Sequence, residues 1–429
     1  MSADFQKGLD ATKRGDYATA LREWKPLAEQ GHVVAQSNLG WMYQTGEGVT
    51  QDYKTAVKWY KLSADQGIAF AQVNLGLMYK EGQGVPHNHE TAVKWFRLAV
   101  EQGNADAQFN LGQMYRKGQG VSQDYKTTLK WYRLAAEQGL AFAKHNLGVM
   151  YQKGQGVPQN DETAVKWYRL AAEQGLASAQ YNLGMMYNEG QGVPQNDETA
   201  VKWFRLAVEQ GFARAQVNLG TMYKEGKGVP QNDETAVKWF RLAAEHGNAK
   251  SQHNLGVMYQ KGLGVPQNDE TAVKWYRLAA EQGNADAQYN LGLMYHKGQG
   301  VPQDYKTAVK WYRLAVEQGD ANSQYNLGQM YRKGQGVSQD YKTAVKWYRL
   351  AAEQGNARAQ HNLGVMYATG LGVLKDYVYA HMWGNLAASN GNENGGKLRD
   401  FVAKEMTPAQ LEKAKDLAQE CVKKNYKGC

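Results

Sequence analysis

Cysteine is almost missing from this chain of 429 residues: its two examples, Cys421 and Cys429, both lie within the last nine. The body of the chain therefore has no thiol for crosslinking or metal binding. For the tail pair two readings stand: a disulfide closing a small loop in an oxidising compartment, or two thiols in a reducing one. Proline is scarce, with eight residues. No run of about 18 apolar residues occurs, which excludes a membrane-spanning helix of the usual kind. Also missing are a nucleophile elbow, a P-loop and a Gly-x-Gly-x-x-Gly set between strand and helix, so no catalytic or nucleotide-binding motif is present. The charge balance of +9 permits an acidic partner, and its meaning depends on whether the cations are clustered.

What the chain has in abundance is glycine, 47 residues placed largely as punctuation. The triplet Asn-Leu-Gly begins at Asn38, Asn74, Asn110, Asn146, Asn182, Asn218, Asn254, Asn290, Asn326 and Asn362, a constant spacing of 36. A fixed period of this size marks a stacked solenoid, because one such unit cannot bury its own apolar face. Residues 3–31 read as a shortened capping hairpin with Phe5, Leu9, Leu21, Trp24 and Leu27 at helical spacing. Residues 32–391 hold ten units without insertion or deletion. Each opens on helix A, about thirteen residues ending at a glycine such as Gly46 or Gly190 suited to a left-handed C-cap. A Gly-x-Gly-Val connector leads to helix B, which begins in every unit at Asp or Asn, from Asp52 to Asp376, as an N-cap requires. Proline, as at Pro158, precedes that cap by two residues and leaves the helix intact.

The last unit exchanges two helix-B cations for Met382 and Asn385, which predicts a covered surface. Residues 392–429 supply the cover as a C-terminal cap: a helix over 397–405, then a capping-box start at Thr407-Pro408-Ala409-Gln410 with Leu411, Ala414, Leu417, Ala418 and Cys421 on one stripe.

Ala-x-Ala-Gln-x-Asn-Leu-Gly, Met-Tyr-x-x-Gly-x-Gly-Val and Ala-Val-Lys-Trp-Tyr, repeated in phase over residues 32–391, resemble the Sel1-like repeat family, relatives of tetratricopeptide repeats. The resemblance implies an all-α, right-handed superhelical solenoid used as an adaptor or scaffold, commonly in bacterial envelope or secreted proteins. It also implies that helix A lines the concave side. The Ser2-Ala3-Asp4 start looks like a family member whose secretion leader has been removed, so the periplasm or exterior of a bacterium is the expected location. A monomer is the expected state.

Near-identical units can be compared with one another. On helix A, Ala35, Leu39, Met42 and Tyr43 fall on one side and scarcely change, as a core does. The positions of Val34, Ser37 and Trp41 vary freely, as a modular binding surface does. Early units place apolar residues there, whereas later ones carry Arg214, Lys250, Asp286, Asn322 and Arg358. The expected protein- or peptide-binding set is thus Val34, Trp41, Phe70, Leu77, Phe109, Phe142, His145, Tyr181 and Met185. Asn38, Asn74, Asn110, Asn146 and Asn182 border the stripe, and each amide can clamp a ligand backbone or hold the stack.

Helix B presents Lys58, Lys61 and their successors as a regular band, each second cation followed four residues later by an acid, as Arg133 by Glu137. That pattern reads as a solvated outer face, with an envelope glycan or other anionic polymer as the rival partner. Trp167 and Tyr168 turn inward on this reading, so no stacking track for nucleic acid is expected. His145, His253 and His361 lie three units apart and cannot share an ion; His87 and His89 lack further ligands. Neither metal nor cofactor is expected. A catalytic centre needs a unique constellation, and these carboxylates recur in register, so a cell-wall or antibiotic hydrolase is the least favoured reading.

Overall fold

A computed structural model describes residues 4–429. Among them every regular element is an α-helix, and none is long and apolar enough to cross a membrane. The chain divides into two units, Met1–Ala215 and Gln216–Cys429. The helices are α1 (Phe5–Lys13), α2 (Tyr17–Glu29), α3 (Val33–Thr45), α4 (Tyr53–Asp65), α5 (Ala69–Glu81), α6 (His89–Glu101), α7 (Ala105–Lys117) and α8 (Tyr125–Glu137). There follow α9 (Ala141–Lys153), α10 (Asp161–Ala172), α11 (Ala177–Glu189), α12 (Asp197–Glu209), α13 (Ala213–Glu225), α14 (Asp233–Glu245), α15 (Ala249–Lys261) and α16 (Asp269–Glu281). The last are α17 (Ala285–Lys297), α18 (Tyr305–Glu317), α19 (Ala321–Lys333), α20 (Tyr341–Ala352), α21 (Ala357–Thr369), α22 (Tyr377–Ser389), α23 (Glu393–Ala403) and α24 (Pro408–Lys423). From α3 to α21 the odd-numbered helices are the A helices; the B helices are the even-numbered ones from α4 to α22.

In the first unit a representative core joins Ala164, Val165 and Tyr168 of α10 to Ala179, Leu183 and Met186 of α11. The second unit repeats it with Val273 and Tyr276 of α16 against Leu291 and Met294 of α17. Each core thus unites the B helix of one repeat with the A helix of the next, so a repeat acquires its stability by stacking. Each fully buried side chain of this size contributes roughly 1.5–3 kcal/mol.

Two glycines per repeat permit this spacing. A Cβ on Gly184, the glycine of Asn-Leu-Gly, would lie 2.7 Å from the Phe204 ring, so only glycine lets helix B's aromatic lie against helix A's backbone. The second connector glycine, Gly192 at φ +66°, would place a Cβ 2.3 Å from the backbone of Asp161, because the connector presses on the preceding helix B. The glutamine of the Ala-Gln pair is buried and ties three helices together. Gln72 donates to the Ala64 carbonyl at 3.2 Å and accepts from Gln102 at 2.9 Å. Gln288 does the same with Ala280 and Gln318 at 3.1 and 2.9 Å.

The Asp or Asn before each B helix is its N-cap; Asn160, for example, accepts from the Thr163 amide at 2.8 Å. At the C terminus, Met382 is buried in a cluster with Ala418 and Cys421, and Cys421 is joined to Cys429. The Thr407–Gln410 capping box is formed. The preceding helix differs from the 397–405 reading: α23 starts at Glu393, capped by Asn392. Gly395 within this helix allows close packing, since a Cβ there would meet Ala387 at 2.6 Å.

Candidate binding face

Helix A offers an open face at its second and thirteenth residues, with a half-buried ninth between them, and the two units furnish it differently. In the first, Phe70 and Phe142 are 48% and 55% exposed, and Val34 is also exposed. Leaving a phenylalanine half open forgoes on the order of 1 kcal/mol of burial. The Phe142 ring leans on Phe109 of the preceding repeat, 6.3 Å between centroids, and Phe70 meets Tyr60 edge-on at the same distance.

Next to these anchors the first unit also gives up helix caps. Ile68, Leu140 and Leu176 occupy the N-cap positions of α5, α9 and α11 and supply no side-chain hydrogen bond to the first turn. In the second unit Asn248, Asn284, Asp320 and Asn356 cap α15, α17, α19 and α21 properly. A polar cap contributes about 1 kcal/mol, so the first unit carries apolar residues at this edge at a cost in stability. Phe212, at the equivalent sequence position, packs on Tyr181 with centroids 5.2 Å apart. Ile68, Leu140, Leu176 and Phe212 escape a reading of periodicity, which registers only the helical residues; comparing the cap positions among repeats would have found them.

Not all of the variable stripe is open. Ser37 is buried, as are Val73 and Val217, and the larger residues of that position are half-buried over helix B's ring. Phe109 stacks on Tyr132 at 5.4 Å, His145 lies 5.7 Å from Tyr168, and Tyr181 lies 5.9 Å from Phe204. The fifth residue of helix A points between the helices rather than away from them, so its variation is core variation. Trp41, Leu77 and Met185 are half-buried too; Trp41 bridges two clusters and Leu77 packs beside Phe96.

The border asparagines are hydrogen-bonded, some within their own helix and some to the next. The amides of Asn74, Asn110 and Asn146 donate to carbonyls four residues back at 2.8–2.9 Å. Asn38 is half-buried at the same helical position. Asn182 bonds the His145 ring at 3.0 Å and Asn290 bonds His253 at 2.9 Å, each linking successive A helices. Burial, with the Arg116 charge adding to it, pushes His145 down to about 4, so its ring is neutral and accepts from the amide. His253 is also lowered by burial, but Asp286 acts in the opposite direction.

The outer band is organised otherwise than the i to i+4 spacing predicts. Lys61 does pair with Asp65 at 2.9 Å. The arginines that follow reach instead to the next repeat: Arg97, Arg169, Arg277 and Arg349 donate to the hydroxyls of Tyr115, Tyr187, Tyr295 and Tyr367 at 2.6–3.0 Å. Tyr43 and its equivalents are therefore half-buried residues at the seam, not core. The helix-B tryptophans from Trp59 to Trp347 are likewise half-buried, while Trp383 is fully buried; Trp167 packs on the previous repeat's cluster. Helix B also exposes Leu62, Leu98, Leu170 and Leu206 in the first unit and Leu242, Leu278, Leu314 and Leu350 in the second. Among the described residues no group of three His, Cys, Asp or Glu side chains is gathered in a metal-holding arrangement.

The architecture can be placed among known proteins. The family model described as Sel1 repeat matches ten successive segments, 33–68, 69–104, 105–140, 141–176, 177–212, 213–248, 249–284, 285–320, 321–356 and 357–392. Among solved structures, c5321, a protective antigen present in uropathogenic Escherichia coli strains displaying an SLR fold, is similar at 40% identity with a TM-score of 0.87. The similarity covers 99% of this chain and 93% of that one. A Sel1 repeat protein from Oxalobacter formigenes is 35% identical over 72% of this chain and 90% of its own, with a TM-score of 0.57. No curated protein sequence matches. Ten contiguous repeat matches and a 40% identical relative spanning nearly the whole chain agree with the stacked helix pairs, and the protein belongs to the Sel1 repeat family.

Proposed function

We propose that this protein is a non-catalytic scaffold that binds a protein or peptide along the helix-A face, with its principal contacts in the first unit. The observation that carries the reading is the coincidence, at one edge, of exposed Phe70 and Phe142 with three A helices that forgo a polar cap. Exposed aromatic anchors are typical energetic centres of interfaces, and a sequence optimised for stacking alone would carry Asn at 68, 140 and 176 as it does at 284 and 356. Asn182 and Asn290 hold the stack in this account, and Phe70, Phe142 and Val34 lead the contact set, flanked by Trp41, Leu77, Phe109, His145, Tyr181 and Met185.

The bacterial relatives and the Cys421–Cys429 link favour a periplasmic or secreted location. The outer cationic band is the weaker candidate surface, because its arginines are held by tyrosine hydroxyls. The test is capture from bacterial envelope extract by the intact chain and by a Phe70→Ser/Phe142→Ser variant of equal melting temperature. A protein retained by the first and lost by the second supports this reading; equal retention, released by moderate salt, transfers the function to the outer band.

A further inference from the structure

The twelfth residue of helix A and the buried ring of helix B vary together within the chain. Where the twelfth residue is glutamine, the ring is tyrosine: the hydroxyls of Tyr60, Tyr168 and Tyr276 donate to Gln44, Gln152 and Gln260 at 2.7–2.8 Å. His296 meets Tyr312 in the same way at 3.3 Å. Where it is Lys80, Asn188 or Lys224, the ring is Phe96, Phe204 or Phe240, which has no hydroxyl to satisfy. Two repeats break this rule by setting arginine against tyrosine: Arg116 with Tyr132 in the first unit, Arg332 with Tyr348 in the second.

Arginine has donors and no acceptor. Tyr132 and Tyr348 are 0% exposed, and their hydroxyls have no hydrogen-bond partner. The Nε atoms of Arg116 and Arg332 are buried and unpartnered too, as is the Asn362 amide nitrogen. Arg332 and Asn362 face the Tyr348 hydroxyl closely enough to oppose the rise in pKa that burial causes, without bonding it at acceptable geometry. Each guanidinium touches one acceptor, Gln113 at 3.3 Å or Gln329 at 3.2 Å, both on the open side of helix A. The buried Nε and hydroxyl donors thus lie side by side at two places without a hydrogen-bond partner. Buried donors are ordinarily satisfied, so an acceptor from outside completes each set.

We infer that Arg116–Tyr132 and Arg332–Tyr348 are two copies of a carboxylate-binding notch on the helix-A face, made to take the acidic side chains of a protein partner. A planar guanidinium matches a carboxylate, and one cation per notch balances one negative charge rather than the two of a phosphate monoester. His145 beside the first notch is neutral and adds no second cation. The inference rests on the helix-A face being the partner surface, and it adds that the partner is acidic.

The test uses the full chain and a fluorescein-labelled, N-acetylated hexaglutamate peptide followed by anisotropy, with hexaserine as control. R116Q/R332Q recreates the Gln–Tyr pair of three other repeats, so it folds and melts no lower than the parent. It weakens hexaglutamate binding by about tenfold or more, as loss of charge-assisted hydrogen bonds does, whereas K310Q/K346Q on helix B changes it by less than about twofold, as screened surface charges do. Unchanged binding by R116Q/R332Q, or no binding by the parent, overturns the notch and leaves water as the missing acceptor. Those results are separable from the scaffold reading. Loss of a captured partner on Phe70→Ser/Phe142→Ser without hexaglutamate binding removes the notch and keeps the face; the reverse keeps the notch and removes the face.

Discussion

The two units share one framework and differ in what they display on it. Tyr168 and Tyr276, Gln72 and Gln288, and Gly184 and Gly292 do the same work in equivalent places. On helix A, however, the first unit shows Val34, Phe70 and Phe142 beside Asp106, Ser178 and Arg214, where the second shows only Lys250, Asp286, Asn322 and Arg358. Most residues that stack the repeats are held constant, such as the Leu39 and Met42 series, while those that leave the stack are free to acquire a partner. The forgone caps sharpen the point: Ile68, Leu140 and Leu176 weaken their own helices, a loss that stacking alone gives no reason to keep.

The largest expected effect comes from making the first unit resemble the second. Phe70→Asp with Phe142→Lys should weaken partner capture by about a thousandfold, since interface anchors contribute about 2 kcal/mol or more each, while Asp286→Ser with Asn322→Ser should leave it unchanged. A titration of the captured partner against each variant checks both halves. Next come changes to the shared framework. Gly148→Val and Gly256→Val each drive a side chain toward a tyrosine ring that a Cβ alone would meet at 2.5 Å, and each should cost about 1–3 kcal/mol in denaturant unfolding. Unequal costs would show that the two frameworks are not equivalent.

A smaller effect separates the units by pH. A histidine whose folded pKa lies below its unfolded value stabilises the fold above that unfolded value and loses the contribution as pH falls through the folded one. For His145 the window runs from 6.5 down to about 4. Asp286 opposes the shift at His253, so its contribution is smaller. Hydrogen exchange at pH 4.5 should therefore open α9 and α11 before α15 and α17, and His145→Tyr, the residue found at Tyr181, should abolish the difference. The smallest effect is at the caps: Ile68→Asn or Leu140→Asn should raise stability by about 1 kcal/mol and weaken capture. A cap substitution that stabilises without touching capture would remove those residues from the face.

Much of the fold is legible in one sequence because the repeat offers ten readings of each position. The Asx caps, the glycine stops of helix A and the capping box at Thr407 all follow from local hydrogen-bond chemistry, which spacing displays directly. The candidate site is less legible. Helical angle alone put Ser37 and Phe109 with Trp41, but helix B's ring covers that fifth position, and coverage depends on a second helix. Arg133 has Glu137 at pairing distance along its own helix yet bonds Tyr151 of the next repeat, a choice set by stacking rather than by spacing. The engagement of Asn182 with His145, across 37 residues, is of the same kind.

The central claim is that the first unit's helix-A face meets the partner. A photo-crosslinking benzophenone residue placed at Phe142, and separately at Asn322, tests it in intact protein exposed to envelope extract. The account predicts one discrete crosslinked partner from position 142 and none from position 322. Equal products from both, or a partner crosslinked only from a helix-B position such as Leu170, would contradict it.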